Sequence, residues 1–193
     1  MKYSKQTAEH LLHTATIATQ ELIEKKVLEQ HIASSPNLDN LKRVYLHRQA
    51  IFKVANDLEI DASQFRMHDA DKYYMYLWMH DKDANECHEL INNHHNYLDA
   101  AFLSETDLTE MMLDWESARF TKPEIKSNAY DIMLSRMPDE VFRPIIPLMQ
   151  KYEIYEGTFD KGINKKQYTA MAEKITPSIL AEEIQNLFST NPQ

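Results

Sequence analysis

Glycine is almost absent from this chain, and its scarcity excludes several kinds of fold. Only Gly157 and Gly162 occur among 193 residues, and both lie towards the C-terminal end. Tight hairpins need glycine at positions of positive φ, and phosphate-binding and dinucleotide-binding loops need it where the backbone approaches the ligand. The chain before Gly157 is therefore predicted to be helical, with no P-loop and no Rossmann motif.

Cysteine is also scarce, and the chain has no long apolar run and no excess of positive charge. Cys87 is the only cysteine, which rules out an internal disulfide and predicts a reducing compartment. No apolar run of about 18 residues and no apolar N-terminal segment occur, so a cytoplasmic protein without a membrane span is predicted. The formal net charge of −9 disfavours nonspecific nucleic-acid binding, which lysine and arginine drive.

What the sequence does contain is the composition of a globular, all-α protein. Hydrophobic residues make up 43% of a chain whose length suits one domain, residues 1–193. Apolar residues recur at helical spacing along most of it. Helices are predicted over 4–32, from about 38 after a break at 34–37, over 61–82, over 83–96, after a loop at 98–107, over 125–136, and from 177. The segment after residue 138 is broken by prolines, and 152–166 is predicted to be irregular.

Two apolar faces carry specific expectations about packing. In the helix predicted over 61–82, the residues expected to face inward are Met67, Tyr74, Leu77 and Trp78. The last helix should begin at Pro177 after a Thr176 cap. Its apolar face is predicted to pack on the remaining helices or on a partner, which allows a homo-oligomer.

The chemistry of the chain is concentrated between residues 65 and 95. An adjacent His68 and Asp69 form a compact chelate, and imidazole with carboxylate suits zinc, iron, manganese or nickel. Further polar residues accompany this pair in the same stretch: Lys72, His88, Asn92, His94 and His95. His47 precedes the pair and Asp114 follows it, at separations that fit ligands from successive helices converging in a bundle.

Three of these residues also have a plainer interpretation. Lys72 could be a surface lysine, His47 a histidine at the core margin, and Asp114 a solvent-exposed acid. Three further histidines are more simply explained as polar surface residues of amphipathic helices: His10, His13 and His31.

The order of these residues resembles the HD-domain superfamily of metal-dependent phosphohydrolases. His68-Asp69-Ala70-Asp71-Lys72 is similar to the His-Asp-x-x-Lys form of its motif, although Asp71 stands where a small residue is common. His88-x3-Asn92-x-His94-His95 and the segment 111–115 resemble an uncharacterised HD-like branch of bacteria and phages. The resemblance implies an HD-like helical core over about 36–136 with a C-terminal helical extension over about 138–193.

The resemblance also implies a metal site and an activity. The ligands of a first metal ion would be His47, His68, Asp69 and Asp114, and those of a second would be His94 and His95, with or without His88. One or two divalent ions are expected, drawn from Mn, Fe, Zn, Ni and Co. The implied reaction is hydrolysis of a small phosphate ester, such as a nucleotide or cyclic nucleotide, by metal-activated water.

Several side chains are predicted to assist that reaction. Lys72, with Arg119 or Lys122, would neutralise the phosphoryl charge, and Asn92 would contact the substrate. His88 or His95 would donate a proton to the leaving alkoxide. Two alternatives remain open: a di-iron oxygenase of the same type, with Tyr73, Tyr74 and Tyr76 nearby, and a non-enzymatic domain that binds a nucleotide or a protein.

Overall fold

The computed structural model describes residues 2–95, 103–137, 143–157 and 162–189, and over these ranges it is entirely helical. This confirms the all-α prediction. Ten α-helices and two short 3-10 helices, at Ala62–Phe65 and Asn93–His95, occur in the described ranges. The α-helices are α1 (Lys5–Glu24), α2 (Leu28–Ala33), α3 (Leu38–Asp57), α4 (Ala70–Trp78), α5 (Asp81–Ile91), α6 (Glu105–Thr121), α7 (Ala129–Arg136), α8 (Ile146–Lys151), α9 (Lys165–Ala172) and α10 (Pro177–Ser189).

The internal contacts of the chain group it into two compact units. Unit 1 comprises Met1–Leu46, Met67–Ile91 and Ala170–Gln193, and unit 2 comprises His47–Arg66 and Asn92–Thr169. The division falls within α3. The single domain over 1–193 and the HD-like core over 36–136 stay predictions.

Unit 1 is built around α1 and α4. α1 packs on α2, α4 and α5, and α10 packs on α2 and α4. α10 buries its apolar face here, so this face is used within the chain, with Leu180, Ile184 and Leu187 buried. The Asn37 side-chain amide donates to the carbonyls of Tyr76 and Met79, at 2.8 Å each. Asn37 thereby satisfies carbonyl groups at the C-terminal end of α4, which the helix itself leaves without partners.

Unit 2 has its core around α6, which packs on α7 and α8. α6 begins with a capping box, in which Ser104 accepts from the Asp107 amide and Asp107 accepts from the Ser104 amide. The sequence offers two caps at the end of the loop predicted over 98–107, Ser104 with Asp107 or Thr106, and the helix uses the first. The core is rich in methionine, a flexible side chain that fills irregular space. Its buried members are Ile51, Val54, Ala55, Phe65, Met111, Met112, Leu113, Trp115, Ala129, Met133, Met137, Ile145, Leu148, Met149 and Ile154.

Two predicted helices are interrupted by residues in the left-handed backbone region. The predicted helix over 4–32 is broken at Lys26 (φ 58°), which separates α1 from α2. The predicted helix over 61–82 is instead a 3-10 turn, a bend with Asp69 at φ 57°, and then α4. A right-handed helix cannot pass through a residue with positive φ, and apolar periodicity does not reveal such a residue.

Two residues predicted to face inward are exposed instead. Met67 is 43% exposed because it lies in the bend before α4, where the helical phase does not apply. Trp78 is the last residue of α4 and is 42% exposed. Its indole N–H donates to Thr19 Oγ1 at 3.0 Å, and its ring lies 4.7 Å from that of His31. The ring of Trp78 therefore packs against His31 of α2, and its N–H has a hydrogen-bond acceptor on α1.

Other helix ends differ from the prediction by a few residues. α5 ends at Ile91 rather than at Asn96, which lies outside the described residues. α7 begins at Ala129 because the Asn128 side chain caps it by accepting from the Asp131 amide. α10 begins at Pro177, as predicted, and the Ile179 amide donates to Thr176 Oγ1 at 3.3 Å.

Parts of three predicted irregular segments fall outside the described ranges. They are 98–102 of the loop before α6, 138–142 of the proline-containing segment, and 158–161 of the stretch between the two glycines. Among the helices that are described, none combines the length and the apolar character needed to cross a bilayer.

Candidate metal centre

The His68-Asp69 pair lies in the bend that precedes α4, not within a helix. Asp69 occupies the position before the first helical residue and has φ 57° and ψ 9°. Both side chains are buried, and His68 Nε2 lies 3.5 Å from Asp69 Oδ1. A non-glycine residue in this backbone region is strained, and such strain is concentrated at functional sites. The bend turns an adjacent pair of side chains towards the same point.

His88 reaches the same carboxylate from α5. Its side chain is buried, and its Nε2 lies 3.2 Å from Asp69 Oδ1. Metal–ligand bonds of about 2.0–2.2 Å place neighbouring donor atoms about 3 Å apart. The distance from Asp69 Oδ1 to His88 Nε2 and that to His68 Nε2 are each close to the spacing of two ligands on one ion.

Asp71 completes a compact group of donors within unit 1. One ligand atom from each of Asp69, Asp71 and His88 can be chosen so that all lie within 4.8 Å of one another. His88 Nδ1 lies 2.8 Å from Asp71 Oδ2. Burial on its own would raise the pKa of the Asp71 carboxyl, but the charge and hydrogen bond of His88 outweigh it and hold that pKa below its usual range.

Lys72 is the cation closest in sequence to this group, and it contacts the group directly. Its Nζ donates to Asp69 Oδ2 at 2.9 Å, one turn away on α4. The side chain is 17% exposed, so Lys72 is not an ordinary surface lysine. Because Lys72 binds Oδ2 of Asp69, Oδ1 is the oxygen that faces the imidazoles of His68 and His88.

In unit 2, His47 of α3 and Asp114 of α6 form a buried pair. His47 Nε2 lies 2.8 Å from Asp114 Oδ1, and His47 Nδ1 lies 3.2 Å from Thr121 Oγ1. Ser117 Oγ is also near Nδ1, at 3.4 Å, but it donates its only proton to the Asp114 carbonyl. A carboxylate only accepts, so a neutral His47 carries its proton on Nε2 and accepts from Thr121 at Nδ1.

The remaining predicted ligands also lie in unit 2. His94 is buried in the 3-10 helix, and its ring centroid lies 4.2 Å from that of the partly buried His95. His94 Nδ1 lies 3.5 Å from Glu110 Oε1. Sequence reasoning missed Glu110, although a carboxylate one turn before Asp114 on α6 would have been a usable signal. Asn92 follows α5 directly, and its carbonyl accepts from the His95 amide at 3.2 Å.

Two predicted substrate-binding cations follow Asp114 along α6 and its end. Arg119 is buried, and its Nε donates to Glu116 Oε1 at 3.1 Å. The other oxygen of Glu116 accepts from the Ala129 amide at 2.9 Å, so this ion pair holds the start of α7. Lys122 is the residue that ends α6, and it is partly buried. A contact of Arg119, Lys122 or Asn92 with substrate stays a prediction.

The histidines that were assigned to helix surfaces lie outside these groups. His10 and His13 are exposed on α1. His31 is partly buried, stacks on Trp78 and has Nε2 3.2 Å from the Leu77 carbonyl. They therefore provide natural controls for experiments on the buried histidines.

Protein-family models, curated protein sequences and solved structures give no match to this chain. The site is therefore defined by its own geometry: a buried group of His and Asp side chains with donor atoms spaced to hold a metal ion. The predicted sharing of ions between His47, Asp114, His94, His95 and the residues of unit 1 stays a prediction.

Proposed function

We propose that this protein is a metal-dependent hydrolase of a small phosphate ester, of the HD-domain type that its sequence resembles. The single observation that supports the proposal most strongly is the buried group of Asp69, Asp71 and His88, with Lys72 bound to its central carboxylate. A nucleotide or cyclic nucleotide is the proposed substrate. The net charge of −9 makes a metal ion the natural source of positive charge for such an anion.

The donor set fits a divalent transition metal. Imidazole nitrogens and carboxylate oxygens are borderline-to-hard ligands that suit Mn, Fe, Co, Ni and Zn, and no thiolate accompanies them. His68, Asp69 and His88 would hold the ion. When bound, such an ion supplies an activated water and polarises the phosphoryl oxygen.

The chain's own residues would orient the ester and balance its charge. Lys72 Nζ, already held at Asp69 Oδ2, would place an ammonium group beside a phosphoryl oxygen. His88 has a carboxylate near each ring nitrogen, and its predicted role as a proton donor stays a prediction beside its proposed role as a ligand. His95 remains the proposed proton donor to the leaving alkoxide, and Asn92, Arg119 and Lys122 the proposed substrate contacts.

Elemental analysis of untreated protein, followed by a screen of mono- and cyclic nucleotides, tests the proposal. We expect a divalent transition metal and release of phosphate or opening of the cyclic ester. His68→Ala and Asp69→Ala should lose both the metal and turnover, whereas His13→Ala, which alters an exposed histidine of α1, should keep both. A metal-free His68→Ala protein with full turnover would refute the mechanism.

The same samples separate the two alternative functions. Bound iron with oxygen consumption and no phosphatase activity would indicate an oxygenase. Two of the three tyrosines considered for that role have contacts that need no such chemistry: Tyr76 donates to Asn85 at 2.7 Å, and Tyr74 packs against Phe188. Protein that is metal-free, stable and tightly bound to a partner would indicate a non-enzymatic role.

A further inference from the structure

Asp71 belongs to the group of donors but is not among the proposed ligands, and its carboxylate is directed at the histidine that would hold the metal. Asp71 lies in the first turn of α4, and its Oδ2 is 2.8 Å from His88 Nδ1. The Asp71 side chain is 12% exposed and that of His88 is 1% exposed. Such a buried contact is short, charge-assisted and poorly screened by solvent.

The opposite nitrogen of the same ring is the one that faces the centre. His88 Nε2 lies 3.2 Å from Asp69 Oδ1, so the imidazole contacts Asp71 through one nitrogen and Asp69 through the other. A metal ligand must offer a lone pair, and a neutral imidazole has only one nitrogen without a proton. Whichever group fixes the proton on Nδ1 also directs the Nε2 lone pair at the ion.

We propose that Asp71 is a positioning residue, which holds the proton of His88 on Nδ1 and fixes the ring so that Nε2 can ligate a divalent metal. This inference rests on the proposed metal site. In other metalloproteins such carboxylates orient the histidine and raise its basicity, and their loss costs about 10–100-fold in metal affinity.

A purely structural role for Asp71 is the competing explanation, since an acid in the first turn also favours the helix dipole. The structure offers a matched control for that effect in α5. Asp81 also lies in a first helical turn and also contacts a histidine Nδ1, that of His80, at 2.6 Å. Both side chains of this pair are exposed. Asp81→Asn therefore removes a similar charge from a similar place without touching the proposed centre.

The test is a titration of the metal-free protein with Co²⁺ alone, in which binding is measured by visible absorption and by calorimetry. Asp71→Ala should bind Co²⁺ about 10–100-fold more weakly than the wild type. Asp71→Asn keeps an acceptor oxygen and the same size, so its loss should be smaller. Asp81→Asn should match the wild type. Unfolding of each metal-free variant, followed by circular dichroism, shows whether a loss of affinity reflects a loss of folding.

A spectroscopic measurement on the wild type removes any dependence on variants that fold poorly. Nitrogen-15 spectra of the Zn²⁺-loaded protein should show His88 protonated at Nδ1 and metal-bound at Nε2. Ligation through Nδ1, or equal Co²⁺ affinity of Asp71→Ala and the wild type, would overturn the role of Asp71 and leave the metal site standing. Wild-type protein that binds neither ion would overturn the proposed metal site, and the role of Asp71 with it.

Discussion

His47 Nε2 and Asp114 Oδ1 lie 2.8 Å apart, between α3 and α6 of unit 2, although 67 positions separate the two residues in the chain. Both side chains are buried, and the second nitrogen of His47 is satisfied by Thr121. Both ring nitrogens of His47 therefore have polar partners within unit 2. His47 Nε2 and Asp114 Oδ1 are also separated by about the distance expected between neighbouring ligands of one metal.

Breaking this pair should destabilise metal-free protein. His47→Ala removes the imidazole that contacts the buried Asp114 carboxylate, and we expect a loss of about 3 kcal/mol in the free energy of unfolding. Asp114→Ala should cost a similar amount. The double variant should lose clearly less unfolding free energy than the two single variants lose together, because the contact between His47 and Asp114 can be lost only once. Urea unfolding in the presence of a chelator measures all three. Additive losses would contradict a coupled pair.

The backbone at Asp69 predicts a difference between two substitutions that both delete the carboxylate. Asp69→Gly should be more stable than Asp69→Ala by about 1 kcal/mol, because glycine adopts a φ of 57° without the strain that alanine incurs. Neither variant should retain metal. Thermal unfolding of the metal-free proteins gives the comparison, and equal stability would mean that the bend relaxes once the side chain is lost.

The capping box of α6 should give a pH-dependent contribution to stability. Hydrogen bonding to Ser104 holds the pKa of Asp107 below its ordinary value of 3.8. A depressed pKa means that the ionised acid stabilises the fold at neutral pH, and that this contribution is lost as the pH falls through the folded-state pKa.

Ser104→Ala should therefore cost about 1 kcal/mol at neutral pH, and less at about pH 3. Urea unfolding at the two pH values provides the measurement. Ser135→Ala is a matched control, since its hydroxyl only returns to the Ile132 carbonyl within α7. A Ser104→Ala effect that is equal at both pH values would argue against the ionised cap.

The buried pair of Arg119 and Glu116 predicts a stability effect that a substrate contact alone would not produce. Arg119→Ala should cost about 3–5 kcal/mol, because it strands the Glu116 carboxylate in the interior. Combining Arg119→Met with Glu116→Gln should recover much of that loss. Urea unfolding measures both, and Lys122→Ala serves as the control cation. Unchanged stability of Arg119→Ala together with weaker substrate binding would instead support the predicted substrate contact.

Helical class and helix starts could be predicted because they depend on local sequence signals. The scarcity of glycine, the apolar spacing, Ser104 with Asp107, and Thr176 with Pro177 each act within a few residues. The breaks at Lys26 and Asp69 could not be predicted in this way. Neither residue is a glycine, and a positive φ at such residues is imposed by surrounding packing rather than by their own preference.

The candidate site was predictable in its residue types but not in its pairings. The sequence predicted that His68 and Asp69 are site residues because an adjacent imidazole and carboxylate form a compact chelate. It predicted His88 because the polar cluster over 88–95 suits neither a solvated surface nor an apolar core. It did not indicate that Asp71 would contact His88, nor that Glu110 would approach His94, since both contacts join separate helices. The pairing of Arg119 with Glu116 was missed, although their i,i+3 spacing on α6 was a local signal for it.

The left-handed bend at Asp69 also has a genetic consequence. Codons for asparagine and for glycine each differ from those for aspartate by one base, and both residues tolerate this backbone conformation better than other amino acids do. A single point mutation can thus remove this carboxylate from the candidate site without adding backbone strain at the bend. Chains that keep the helical scaffold but lack the carboxylate are therefore expected to carry Asn or Gly at this position.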